Sequence, residues 1–299
     1  MCDEASQSGT PLIRRHEALG EGSNRADPRT RCSMQHWREQ FRCSSFGLEH
    51  PQAHLFTQFE WGWPTVYLCW RAVSAVYHVA VIIVTGFCDR YSWTRTEKDS
   101  VKWFIYLTNW MFFLLTLSTL VHLAAVGYSH AVRKDIINGG SQRMPLFLKV
   151  TWVLQNVSNT GSILVTILFW GCVHSPGKPV SHVDFITHTG NTTYVIVNLC
   201  ITASPIRFLH FFQPLIVAAT YTIFSAIYQT AGGTNGLGAH AIYHGLDWAT
   251  DPGSTALFYC IFTFIAVPAM QFVTVLIAMG RGTLFDVCMG RFRYGGLGG

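Results

Sequence analysis

Charge is scarce in this sequence. Lys, Arg, Asp and Glu make up 12% of its 299 residues, about half the share of an ordinary soluble domain. They fall between long apolar runs, which argues against a soluble globular chain. No CxxC pair occurs among the nine cysteines, so a zinc ribbon or a dithiol redox centre is excluded. No Lys/Arg-rich run occurs either. The net charge of +5 is therefore no nucleic-acid footprint, and no nucleic-acid partner is expected. It reads instead as positive-inside bias and contact with anionic lipid headgroups. The first 50 residues contain no signal-peptide core, residue 2 is Cys and so excludes myristoylation, and the C-terminus has no CaaX box. No solenoid or inverted repeat is evident.

What is present is hydrophobic length. Apolar residues make up 49% of the chain, and a bilayer core about 30 Å thick needs about 20 of them per helical pass. The expected fold is all-α, a polytopic membrane bundle of about six transmembrane helices. The spans are read at about Trp63 to Phe87, Trp103 to Tyr128, Val150 to Cys172, Phe185 to Ser204, Phe208 to Thr230 and Ala256 to Met279. Trp61 and Trp63 suit a headgroup interface. Pro205 marks a break, Gly232 and Gly233 end the fifth span, and Pro268 should kink the sixth. Residues 1–50 read as a flexible cytoplasmic tail, part of which folds against the membrane. Residues 51–285 read as the membrane domain, and 286–299 as a short Gly-rich tail. Lys and Arg are concentrated in the segments that face one side when both termini are cytoplasmic, and the loop between spans five and six holds none. Cys88 and Cys172 would both lie at outer helix ends, where a disulfide between them is open.

Polar residues inside the spans carry the functional signal, because each costs free energy unless it faces protein or water. Arg71 is the one charge of the first span and lies near its cytoplasmic third. Snorkelling to the interface is the expectation for it. In the fourth span His188, Asn191, Asn198 and Thr202 step by three, seven and four, which places them on one helical stripe. The stripe either lines a polar site or joins helices by hydrogen bonds. The third span holds a polar run, Gln155, Asn156, Ser158, Asn159 and Thr160, which must face the bundle core if this is a span at all. Thr108 lies about a turn below the outer end of the second span, at a depth matching His188 and Asn191. A hydroxyl beside an imidazole is the minimum for nucleophilic attack. His240 and His244 form HxxxH, but no Glu follows His240, so the metalloprotease pattern is absent. No metal, haem or other cofactor is expected. N-x-S/T occurs at Asn156 and Asn191, both within predicted helices, where glycosylation is not expected.

Three ordered segments carry a resemblance: WFIYLTNW at 103–110, HTGNTTYVIVNLCITASPIRFLHFFQP at 188–214, and YTIFSAIYQTAGGTN at 221–235 closing with YHGLDW at 243–248. Together they resemble the rolling stone family over about residues 55–285. That family is associated with myoblast fusion during muscle formation. The resemblance implies an integral protein of the plasma membrane, with the endoplasmic reticulum as the other location, acting in cell fusion or differentiation. Its partners would be membrane lipids and proteins at cell contacts.

A more distant similarity is to the androgen-induced six-span hydrolases, which split fatty-acid esters of hydroxy fatty acids with an intramembrane Thr and His. Thr108 sits in a similar W-x-x-L-T context. Their H-x-x-H-T pattern reads His188-Thr189-Gly190-Asn191-Thr192 here, so Asn191 stands where the catalytic His would be. This similarity implies Thr108 as nucleophile with His188 or Asn191 assisting. Asn cannot act as a general base near neutral pH, so the hydrolase reading requires His188 to take over that role.

Overall fold

A computed structural model describes residues 37–87, 97–140, 143–174, 177 and 180–295. The molecule clusters into two units, Met1–Arg38 and Glu39–Gly299, and the second is the membrane domain. Its long helices are α1 (Pro64–Phe87), α2 (Leu107–Ala131), α3 (Leu146–Val173), α4 (182–201), α5 (Phe208–Thr230) and α6, which begins at Pro252 and continues to Gly295. Among the described residues there is no β-strand, only isolated bridges.

Five of these helices, all but α4, are long and apolar enough to cross a membrane. The fourth span fails on polarity, not on length. Twenty helical residues at 1.5 Å each reach about 30 Å. The contacts along α4 show that it makes the full pass. At its start, the ring of His188 stacks on Phe169 near the end of α3. Just beyond its end, the carbonyl of Pro205 accepts a 2.9 Å bond from Trp152 near the start of α3. It is antiparallel to α1 as well: Tyr194 stacks on Trp70, and the backbone N–H of Glu60, just ahead of α1, bonds Ile201 O at 2.9 Å. The same logic places α5 against α2 through Tyr221, whose hydroxyl donates to Ile105 O at 2.8 Å. The chain therefore traverses the bundle six times. Residues 39–60, 132–140, 143–145, 202–211 and 281 gather at one end, the terminal end. Residues 103–106, 180–181 and 231–251 gather at the other.

The distribution of polarity is inverted relative to a water-soluble bundle. Val73, Val76, Ile83, Ile216, Ile223 and Phe264 are exposed, while Gln155, Asn156, Asn198, His122 and Gln271 are buried. Such a surface suits hydrocarbon, and such a core lets polar side chains find each other. The polar run on α3 is buried throughout, from Gln155 to Ser162, so it faces the bundle as a genuine span requires. Asn156 and Asn191 are buried too, beyond reach of a glycosyltransferase.

Local chemistry explains the helix ends. Pro64 opens α1 at the position where its missing N–H is harmless. Beyond α5, Gly232 takes φ +84°, a left-handed turn that glycine adopts at little cost. Pro268 would drive its ring into the carbonyl four residues earlier. The helix widens to a π-helical turn over Phe262–Ala266, and this absorbs the clash. Backbone helix continues to Gly295, past the expected start of the C-terminal tail. At the other end, residues 39–50 of the expected tail are folded: Phe41 packs on Phe208 and Phe46 on Phe212. Cys172 is exposed; Cys88, with which a disulfide is open, lies outside the described residues.

Candidate functional site

The buried polar core divides into two centres. The first lies between α1, α2 and α4 and is organised by Arg71. This side chain is 2% exposed, so it does not snorkel. The expectation fails because hydrogen bonds to its neighbours hold the guanidinium inside the bundle. One Nη donates to the Asn198 Oδ1 at 3.0 Å and to the Tyr194 hydroxyl at 3.4 Å, and the other bonds the Tyr67 hydroxyl. The guanidinium also lies 4.5 Å from the centre of the Tyr67 ring, a cation–π contact. Around it, Trp70 donates to Asn198 at 3.3 Å, and the Tyr67 hydroxyl lies 3.1 Å from His122 Nε2. The edge of His78 meets Tyr194 at 4.5 Å between ring centres. Every ligand of Arg71 among the described residues is neutral. The acid nearest in sequence, Glu60, pairs with Arg281 instead, at 2.7 Å.

The second centre lies between α3, α5 and α6 and is built from amides. Asn156 Nδ2 donates to His210 Nδ1 at 2.9 Å and to Gln213 Oε1 at 3.2 Å. With Nδ1 accepting, the proton of His210 sits on Nε2, which donates to Gly47 O at 3.1 Å. Thr160 donates to Gln271 at 2.5 Å, and Gln271 donates to Arg207 O at 2.9 Å. Arg207 in turn holds Gly47 O and Glu49 O at 2.7 and 2.8 Å, with its guanidinium 4.8 Å from the Trp152 ring. The P-x-R-x-x-H run is thus a clamp. Pro205 breaks the helix, and Arg207 and His210 fasten the segment before α1 to the terminal end of the bundle.

The stripe on α4 splits between roles. Asn198 is a ligand of Arg71. Asn191 donates to Thr187 O, within its own helix, at 2.7 Å. Thr202 is buried at the helix end, its N–H bonded to Asn198 O at 3.1 Å. His188 is buried and stacked flat on Phe169, 3.5 Å between ring centres at 7°, and its carbonyl accepts from Thr166. Thr108 is half-buried near the start of α2. Its depth does match that of His188: one turn below Thr108, Met111 packs with Leu164 and Val165, one turn below Phe169. Yet Thr108 makes no hydrogen bond to His188 or Asn191.

Sequence reasoning missed the ligand set of Arg71. The one available signal was the four-residue spacing of Tyr67 and Arg71, which puts hydroxyl and guanidinium on one face. At the opposite end, His240 lies in an irregular loop, its Nδ1 3.2 Å from Gln229 Nε2. Among the described residues no group of three His, Cys, Asp or Glu is placed to hold a metal ion.

The sequence profile of the family described as "Protein rolling stone" matches residues 32–284, which takes in the clamp, the Arg71 centre and all six passes. The chain belongs to the rolling stone family. It is 28% identical over 238 residues to protein rolling stone of Drosophila melanogaster, covering 75% of this chain and 80% of that protein. No solved structure matches. This rolling stone-family chain is a multi-pass integral membrane protein.

Proposed function

We propose that this protein acts in cell–cell fusion or differentiation at the plasma membrane, through contacts with lipids and with proteins at cell contacts. The observation that carries this reading is the family match, which covers nearly the whole folded chain. The association of the family with myoblast fusion supplies the process. The geometry supports a role without ester hydrolysis. Among the described residues no base bonds Thr108, Asn191 spends its amide on its own helix, and His188 is pinned against Phe169. A hydroxyl nucleophile needs its base within hydrogen-bond reach.

The test is content mixing between two labelled populations of fusion-competent myoblasts depleted of the protein. Depletion should lower the fraction of multinucleated cells, and both wild type and Thr108→Ala should restore it equally. Unchanged fusion on depletion contradicts the proposal. Rescue by wild type but not by a correctly localised Thr108→Ala would favour the hydrolase reading instead.

A further inference from the structure

Arg71 is a charge buried among neutral groups. Its Nη atoms are held by two phenolic oxygens and an amide oxygen. Its Nε is buried and has no partner among the described residues. A cation taken out of water without a counter-charge carries a heavy desolvation penalty even after relaxation. Tyr–Asn ligation and a cation–π contact offset only part of that. Such a charge inside a membrane span marks a functional site, and the missing element is its anion.

The surroundings say where that anion would come from. Arg71 is seven residues past Pro64, about 10 Å along α1, which is inside the hydrocarbon edge at the terminal end. Trp70 and Tyr194 lie beside it, stacked at 5.9 Å between ring centres and 19°. Both are half-buried, whereas Arg71 behind them is sealed. They form a pair of side chains between α1 and α4 with one side toward lipid and the other toward the guanidinium. A second unsatisfied atom lies against the same tyrosine. His78 donates from Nδ1 to Ser74 O at 2.7 Å, so Nε2 of the neutral ring, buried without a partner among the described residues, is an acceptor and offers nothing to an anion. An anion entering here would meet a cation and an open Nε–H donor.

We propose that Arg71, with Tyr67, Tyr194 and Asn198 around it, is a binding site for a lipid-borne oxyanion that enters laterally between Trp70 and Tyr194. The chemistry is a guanidinium–oxyanion hydrogen bond strengthened by burial. A fatty-acid carboxylate and the phosphate of an anionic phospholipid both supply it. The ligand would relieve the uncompensated charge, and the aromatic pair would close over its chain. The inference stands apart from the fusion reading, since it needs no particular process.

The test uses the purified full chain in neutral detergent, with oleate, dioleoyl phosphatidate and methyl oleate as probes. Binding is read as a rise in melting temperature and as retained lipid in native mass spectra. Oleate, phosphatidate or both should stabilise the wild type, and methyl oleate, which has the chain without the charge, should not. Whichever anion responds identifies the source. Arg71→Gln should weaken binding at least about tenfold, the scale of one charge-assisted bond. Asn198→Asp is the second variant. It places a carboxylate 3.0 Å from the same Nη, so it should raise the melting temperature of the lipid-free protein and abolish the response to either anion. No anion-specific response in the wild type overturns the proposal, even if Arg71→Gln fails to fold. So does an undiminished response in Arg71→Gln or Asn198→Asp.

Discussion

Replacing Trp152 with alanine is expected to destabilise the membrane domain by roughly 3–5 kcal/mol, the range for removing a fully buried Trp side chain. Trp152 is 0% exposed and sits where four chain segments meet. Its ring packs edge-on against Phe56 at 5.0 Å and His210 at 4.7 Å between centres. Its face holds the Arg207 guanidinium, and its indole N–H donates to Pro205 O. Alanine would leave a cavity, an unpaired carbonyl at the α4–α5 break, and an Arg207 without its aromatic platform. The clamp on residues 47–49 should loosen with it. Two measurements check this in detergent: the melting temperature should fall by many degrees, and limited proteolysis should cut first between residues 39 and 60. Trp152→Phe keeps most of the packing and loses only the indole bond, so it should lie between alanine and wild type. A Trp152→Ala protein that melts with the wild type would show that the clamp contributes nothing.

Arg281→Ala is the second large effect, at about 3 kcal/mol, the low end for breaking a buried ion pair from one side. The low end applies because the Glu60 side chain keeps 22% of its exposure while Arg281 keeps 9%. Arg281 joins three pieces of chain. It pairs with Glu60 ahead of α1, and it donates to Leu199 O at 2.9 Å and Ser204 O at 3.4 Å at the end of α4. Its loss leaves a partly buried carboxylate without its cation and two carbonyls without a donor. Glu60→Gln should cost less: Arg281 loses its counter-charge, but the amide oxygen still accepts from it and its bonds to Leu199 O and Ser204 O survive. A melting-temperature order of wild type, Glu60→Gln, Arg281→Ala is expected. The reverse order would mean that Glu60 carries a role other than pairing with Arg281.

Much of the architecture was legible because lipid imposes a simple rule on sequence: apolar length marks a pass. The six spans, the break at Pro205, the turn at Gly232 and the inward-facing run at Gln155–Thr160 all follow from it. The α4 pass was legible from its stripe even though its composition is too polar to mark it alone. Arg71 was misread for a definite reason. Its position near a helix end allows snorkelling, and only the fold brings Tyr194 and Asn198, more than a hundred residues away, around it. The clamp was visible as a pattern and silent as to role, since Arg207 and His210 hold the carbonyl oxygens of Gly47 and Glu49. Backbone carbonyls leave no residue signature. The Thr108–His188 pairing shows the opposite limit: spacing gave the right depth, but rotation about the helix axes decides contact.

The central claim is that the polar α4 crosses the membrane, so that the chain makes six passes and both ends of the membrane domain share one side. Labelling with a membrane-impermeant maleimide in intact cells tests it, using single cysteines in a background with all nine native cysteines replaced. Val180→Cys lies just before α4, Leu237→Cys between α5 and α6, and Val132→Cys between α2 and α3, all at exposed positions. Six passes predict that 180 and 237 label together from one side, while 132 labels only after permeabilisation. If 180 and 237 label from opposite sides, α4 does not cross, and the account of the buried Arg71–Asn198 centre falls with it.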